Sequence, residues 1–199
     1  MTGGKNNDKY VRGRIAERIV ANELEYLGFR VSDLNKEGTA ANADLLAARN
    51  EMTLQIQVKG AKQAMRKNGW EPWWFQYGFC NEAIISGTQR MFNSCESFYR
   101  AEFVVLVAYR KPNDYKCVVL PEEIAEKAAQ LALDHDYRIL SNRGTAKKPH
   151  MLYTGLEPYG SKDERKRKLR DDECKLIAPY VNNWTLLLNA SEKTMAAAR

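Results

Sequence analysis

The chain has 199 residues, 44% of them hydrophobic, with 31 Lys and Arg against 25 Asp and Glu, a net charge of +6 and a pI near 9.1. This is the composition of an ordinary globular protein with enough residues for a full core, and its modest basic excess favours an anionic partner such as nucleic acid. Several classes are excluded: there is no solenoid repeat, the longest apolar run (Phe103 to Ala108) is far too short to span a bilayer, and Cys80, Cys95, Cys117 and Cys174 are too widely spaced, beside only two histidines, for a zinc site or a disulfide framework.

Residues 1–8 are polar and rich in Gly, Asn and Lys, without the apolar stretch of a signal peptide. They are expected to be disordered, and the protein to be soluble and intracellular, that is cytoplasmic. From about Lys9 to Leu27 the apolar residues Val11, Ile15, Ile19, Val20, Leu24 and Leu27 fall on one side of a helix, with Gly28 placed to stop it. Glu17 lies on the flank of that face, a costly place for a carboxylate unless a cation meets it.

Phe29 to Leu34 should form the first strand, followed by a polar loop and then by residues 42–60, around which the reading turns. Asp44 opens a short apolar run, Leu45 to Ala48, and Arg49-Asn50-Glu51 is polar enough to turn the chain back as a hairpin. From Thr53 the residues alternate, with Leu54, Ile56 and Val58 on one face and Gln55, Gln57 and Lys59 on the other. One face is then core and the other chemistry or solvent, and antiparallel pairing brings Asp44 close to Gln57 and Lys59. A carboxylate, a second oxygen ligand and a lysine on one sheet face suit metal-assisted phosphodiester hydrolysis, because Mg²⁺ takes oxygen ligands while keeping several waters.

Asn42-Ala43-Asp44 followed by Gln57-Val58-Lys59 resembles the active-site pattern of the PD-(D/E)XK nuclease superfamily, in which an Asp precedes a hairpin and (D/E)-x-Lys closes it. Ala43 stands where the name-giving proline would be. Gln57 replaces the second acid, as in the Gln-x-Lys pattern of methylation-dependent restriction endonucleases. Gly13-Arg14-Ile15-Ala16-Glu17, the following apolar helix and Leu27-Gly28-Phe29-Arg30-Val31 are similar to the opening of archaeal Holliday-junction resolvases, whose first helix supplies a glutamate to the metal site; the matching position here is Glu17.

After the hairpin, Lys62, Arg66, Lys67, Trp70, Trp73, Trp74, Phe75 and Tyr77 interleave bases with aromatics. Most of these aromatics are expected to be buried as a lid over the sheet, with Lys62, Arg66, Lys67 and Trp70 the candidates for gripping a phosphate backbone and stacking on bases. Residues 81–100 fit a helix broken near Gly87. Phe103 to Tyr109, continuous and rich in β-branched residues, is a central strand buried on both faces. Lys111 to Asp114 turns the chain into a strand from Lys116 to Leu120, and Pro121-Glu122-Glu123 starts a helix with acids at its positive end. His135 and His150 have no partner at ligand spacing and read as exposed or capping residues. Residues 160–173 form a solvated, charge-rich helix or loop, and Leu176 to Leu188 packs back on the domain.

The fold expected is therefore a single α/β domain over 9–190, a mixed central sheet flanked by helices in αβββαβ order, the restriction-endonuclease-like arrangement, with 191–199 frayed. The resemblance implies Mg²⁺-dependent hydrolysis of phosphodiester bonds in DNA, of restriction or junction-resolving type, with Mn²⁺ able to substitute. It also implies roles: Asp44 bridges the metal, Gln57 offers its amide oxygen or leaves that to a backbone carbonyl, Lys59 positions the water, and Glu17 binds the metal through water or completes a second site. Cleavage of two strands in those families is compatible with a homodimer. Two other readings use the same residues: a nucleic-acid-binding module in which Gln57 has cost the site its catalysis, and an interaction subunit of a defence or recombination complex.

Overall fold

Seven consecutive buried residues, Phe103 to Tyr109, form the middle of the molecule, and the other elements are layered on the strand they make. The computed structural model describes residues 4–34, 43–63, 65–66, 69–70, 74–86, 89–97, 101–111, 113–139, 150–155 and 164–190. In chain order the elements are α1 (Gly4–Tyr26), β1 (Arg30–Asp33), β2 (Leu45–Arg49), β3 (Met52–Lys62), β4 (Met65–Arg66), β5 (Gly69–Trp70), β6 (Trp74–Ser86), β7 (Gln89–Ser97), β8 (Phe103–Lys111), β9 (Asp114–Pro121), α2 (Glu122–Ile139), β10 (His150–Gly155) and α3 (Glu164–Ile177). A short 3₁₀ turn, Ala178–Tyr180, and a helical segment over 185–190 follow.

The main sheet runs β1-β2-β3-β8-β9. The β3–β8 pair is parallel and the other three are antiparallel, which makes the sheet mixed. Helices cover both faces, so the expected mixed central sheet flanked by helices is present. Ala16, Ile19, Val20 and Leu24 of α1 pack with Ile56, Val58, Val105 and Val107 on one face. On the other, Ile124, Ala125, Ala128 and Ala129 of α2 and Ile177 of α3 pack with Ala61, Val104, Leu106, Val118 and Leu120. Leu187, with Trp184 and Leu188 beside it, returns to the α1 face as expected of the C-terminal segment.

Local sequence explains most boundaries. Gly28 ends α1 with φ +83°, a left-handed conformation that glycine adopts without a Cβ penalty. Asn50 and Glu51 both have positive φ, 51° and 66°, the signature of the tight two-residue turn whose twist matches a β-hairpin. Glu122 and Glu123 occupy the first turn of α2, directly after Pro121.

Four expectations need correction. The first helix starts at Gly4 rather than Lys9, so residues 4–8 extend it instead of being disordered. Val11 is 46% exposed and Ala16 takes its place on the buried face, because α1 crosses the sheet at a small-residue contact rather than along its bulkiest stripe. Residues 81–100 are not helical over their described part: β6 continues to Ser86 and β7 runs from Gln89, the apolar residues pairing across strands, with Ala83 opposite Phe92 and Ile84 opposite Met91. Gly87, read as a helix break, falls between those strands and lies outside the described residues. Finally, the crossover from β3 to β8 carries strands, and the helices covering its face follow β9. There β6 joins β10 and β7 in a second sheet, order β10-β6-β7, and β4 pairs with β5. That register sets Cys80 directly opposite Cys95, a proximity their spacing in sequence concealed. Cys117, in contrast, is a buried free thiol that burial pushes up to about 12, inert as a nucleophile at neutral pH. No helix among the described residues is long and apolar enough to cross a membrane.

Candidate active site

Antiparallel pairing of β2 with β3 ends at Leu45 opposite Ile56. Beyond Ile56, β3 keeps β8 on one side and, among the described residues, has no strand on the other, which leaves a notch bordered by Asp44, the end of β1 and the first half of α1. Asp44 closes the top of that notch. Its backbone N–H donates to the Ile56 carbonyl at 2.9 Å, and its carboxylate Oδ2 accepts the Val58 N–H at 2.7 Å, so the two bonds straddle Gln57. The Asp44 carbonyl accepts the Leu34 N–H at 3.0 Å, which ties the same residue to the end of β1. A carboxylate held this way has one orientation.

Gln57, Lys59 and Ala61 alternate with Ile56, Val58 and Gly60 along β3, and their β8 partners sort likewise: Val104, Leu106 and Ala108 lie on the α2 side, Phe103, Val105 and Val107 on the α1 side. The face that carries Gln55, Gln57 and Lys59 is thus open to solvent at Gln55, half-buried at Lys59 and buried at Gln57, so it is a solvent face over part of its length only. Gln57 is only 6% exposed, and its Oε1 is buried with no hydrogen-bond partner among the described residues. An orphaned acceptor of this kind costs about 1–3 kcal/mol. Lys59 is half-buried, and desolvation lowers its pKa against the opposing fields of Asp44 and Glu17.

Glu17 arrives from the opposite layer because α1 comes unusually close to β3. A Cβ on Gly60 would sit 2.6 Å from the Cβ of Ala16 and 3.2 Å from the carbonyl oxygen of Arg12, so only a glycine fits under the helix there. The Tyr109 hydroxyl donates to the Arg12 carbonyl at 3.4 Å and the Tyr115 hydroxyl to Glu23 at 2.6 Å, pinning α1 further along. Gly60→Ala is expected to cost about 1–3 kcal/mol, the usual penalty of overpacking a tight contact. Denaturant unfolding measures it, and Ala16→Gly in the same chain should restore part of the loss.

Burial raises the Glu17 carboxyl above its usual range; Arg14 opposes this, while Asp44 and Asp33 add to it. The Arg14 guanidinium donates from one nitrogen to Glu17 Oε2 and to Asp33 Oδ2, 2.7 Å each. Asp33 was not singled out in the sequence. Only the register of β1 on β2 places it opposite Leu45, one residue from Asp44.

Asp44, Gln57, Lys59 and Glu17 are thus brought to one notch. Lys62 ends β3, exposed; Arg66 and Trp70 lie on the paired strands β4 and β5, and Lys67, between them, lies outside the described residues. Of the aromatic stretch, Phe75 is buried at 1% exposure in the α2-side core, as the lid reading expects. Among the described residues no group of three or more His, Cys, Asp or Glu could hold a metal.

No family model matches the chain, and neither does any curated protein. Among solved structures it aligns with a bacterial homing endonuclease at 16% identity, over 99% of each chain, with a TM-score of 0.48. A likeness that distant carries no argument about the notch, whose chemistry rests on the residues just described.

Proposed function

We propose that the protein is a Mg²⁺-dependent endonuclease that hydrolyses phosphodiester bonds in DNA, with Mn²⁺ able to replace Mg²⁺. The observation that carries this reading is the Gln57 amide oxygen, buried and without a hydrogen-bond partner among the described residues while Asp44 is clamped across the same residue. A hard cation is a partner such an oxygen can accept, and the donor set, an amide oxygen with the carboxylates of Asp44 and Glu17, suits one. Bound there, the cation would polarise the phosphate and lower the pKa of its water. The chain's own residues do the rest: Asp44 and Gln57 hold the ion, Glu17 adds a second negative charge, and Lys59 orients the attacking water and takes its proton. Desolvation suits Lys59 to that task, since it makes the neutral amine easier to reach. Lys62, Arg66, Lys67 and Trp70 are the proposed contacts to the nucleic acid.

The same Gln57 supports a second reading, a module that binds DNA without cutting it, because an amide supplies one negative charge fewer than the acid it replaces. Cleavage of duplex DNA against Mg²⁺ and Mn²⁺ concentration tests the choice. Wild type is expected to cut, needing less Mn²⁺ than Mg²⁺. Gln57→Glu should tighten Mn²⁺ binding about tenfold, the scale of one added charge contact. Gln57→Leu should abolish Mn²⁺ binding while leaving the metal-free protein as stable as wild type or more so, since it removes the orphaned oxygen. A wild type that binds DNA and cuts under neither metal, beside a Gln57→Glu variant that cuts, establishes the second reading.

A further inference from the structure

The second sheet carries three residues whose chemistry the notch does not use. Its order, β10-β6-β7, puts β6 in the middle. On one side of β6 the register sets Cys80 opposite His150, and on the other it sets the same Cys80 opposite Cys95. Residues directly opposed across a sheet share a face, so His150, Cys80 and Cys95 stand in one row on one face, one from each strand. The irregularity in the β10–β6 register falls between Leu152 and Tyr153 and leaves this row intact. Opposed residues of an antiparallel pair have Cα atoms about 4.5 or 5.5 Å apart, according to hydrogen-bonding position, and disulfides span about 4.4–6.8 Å. Cys80 and Cys95 therefore suit a bond in either position. A zinc ion suits the row less, because it takes four ligands and the outer two residues stand two strand spacings apart, about 9.6 Å.

We propose that Cys80 and Cys95 are a redox-active pair that closes into a cross-strand disulfide, fastening β7 to β6, with Cys80 as the attacking thiol. The inference is independent of the nuclease reading. The oxidant is a low-molecular-weight disulfide. The Cys80 thiolate attacks one of its sulfurs, forming a mixed disulfide and releasing one thiolate; the Cys95 thiolate then attacks the Cys80 sulfur and releases the second. Two protein thiols give up two electrons and two protons, and the oxidant leaves as two thiols. Cys80 takes the first step because His150 is its directly opposed neighbour, and an imidazolium beside a thiol favours the thiolate. Opposed residues have Cβ atoms about 4.5–5.5 Å apart. Among the described residues Glu82 is the one charged residue within two positions of the row on that face, and it opposes the effect from farther off, about 6.7 Å along β6. Cys95 is separated from His150 by the whole of β6. In this sheet β7 pairs with β6 alone, so the bond ties an edge strand and closes a loop over residues 81–94.

The test uses the full chain, reduced and metal-free, equilibrated with glutathione disulfide and glutathione over a range of ratios, then unfolded, alkylated and mapped by mass spectrometry. One intramolecular bond between Cys80 and Cys95 is expected, with Cys117 in β9 and Cys174 in α3 still thiols. Cys95→Ser should stop at a glutathione adduct on Cys80. His150→Gln should slow that adduct about threefold: a tenfold loss in ease of ionisation cuts the thiolate fraction about eightfold at neutral pH, and the gain in nucleophilicity returns part of it. His150→Lys keeps a cation and should restore the rate, a rescue that a merely structural histidine does not give. Hydrogen exchange of β7 amides should be about a hundredfold slower in the oxidised protein, the worth of closing a loop of about fifteen residues. A bond from either cysteine to Cys117, Cys174 or a second chain overturns the proposal, and so do thiols at 80 and 95 that stay free at every ratio. Zinc present in the protein before chelation and lost in Cys80→Ser makes the row a metal site instead. Equal β7 exchange in the oxidised and reduced proteins overturns the fastening of the strand. Whether the protein cuts DNA changes none of these outcomes.

Discussion

Asp44→Asn is expected to lower metal-dependent cleavage of DNA at least about a hundredfold while leaving the fold intact. Asn keeps an oxygen at the position that accepts the Val58 N–H, so the clamp across Gln57 can persist as a neutral hydrogen bond; what is lost is the negative charge. Asp44→Ala removes both, and the charge-assisted bond to Val58 adds a stability loss of about 1.5–3 kcal/mol to the same loss of activity. The two variants together separate the structural work of the carboxylate from its chemical work. Cleavage rate, Mn²⁺ affinity and denaturant midpoint are the measurements, and Asp44→Asn that cuts like wild type removes the notch as the active site.

Lys59→Met is expected to reduce cleavage about 10²–10⁴-fold, the usual worth of a positioned proton acceptor, without weakening metal binding. Methionine keeps the length and apolar stem of the side chain, so packing beside Leu106 in the neighbouring strand is retained. In wild type the neutral amine is the active form, so the cleavage rate should climb with pH through the lowered Lys59 pKa and then level off. The same shift has a stability sign. A lysine whose folded pKa lies below its unfolded value near 10.4 leaves the unfolded chain binding more protons between the two values, so this group's contribution grows more favourable as pH rises through that window. Below it the buried ammonium destabilises the fold, and Lys59→Met should therefore melt at or above wild type at pH 7. Glu17 runs the other way: its raised carboxyl pKa means that its contribution is lost as pH rises from the unfolded carboxylate value through the folded one. A variant that is both inactive and no less stable identifies a residue kept for chemistry rather than for packing; a Lys59→Met protein with wild-type cleavage and a flat pH profile contradicts the role.

The elements that local sequence could fix were those whose pattern has a single solution. Seven apolar residues from Phe103 to Tyr109 can be satisfied only by burial on both faces, and they are. The alternation from Thr53 and the polar turn at Asn50 and Glu51 dictate a hairpin with Asp44 at its mouth, and that hairpin is present. Residues 81–100 misled because small and apolar residues around one glycine fit a broken helix and a β-hairpin equally well; β6, whose first half pairs with distant β10, runs on into this stretch and pairs with β7 there.

By itself, then, the sequence determined the hairpin, the central strand, the helix that carries Glu17 and the spacing that makes Asp44, Gln57 and Lys59 neighbours, because each of these follows from contacts close along the chain. Tertiary structure decided the rest. It covered the polar face of β3 at Gln57, turning a surface amide into a buried oxygen with no hydrogen-bond partner among the described residues. It brought Glu17 to the notch through the contact of Ala16 over Gly60, and it set Asp33 beside Asp44 through strand register. None of these is legible in one dimension, because desolvation and charge pairing are properties of what packs around a residue, and in this chain the packing partners stand tens of residues away.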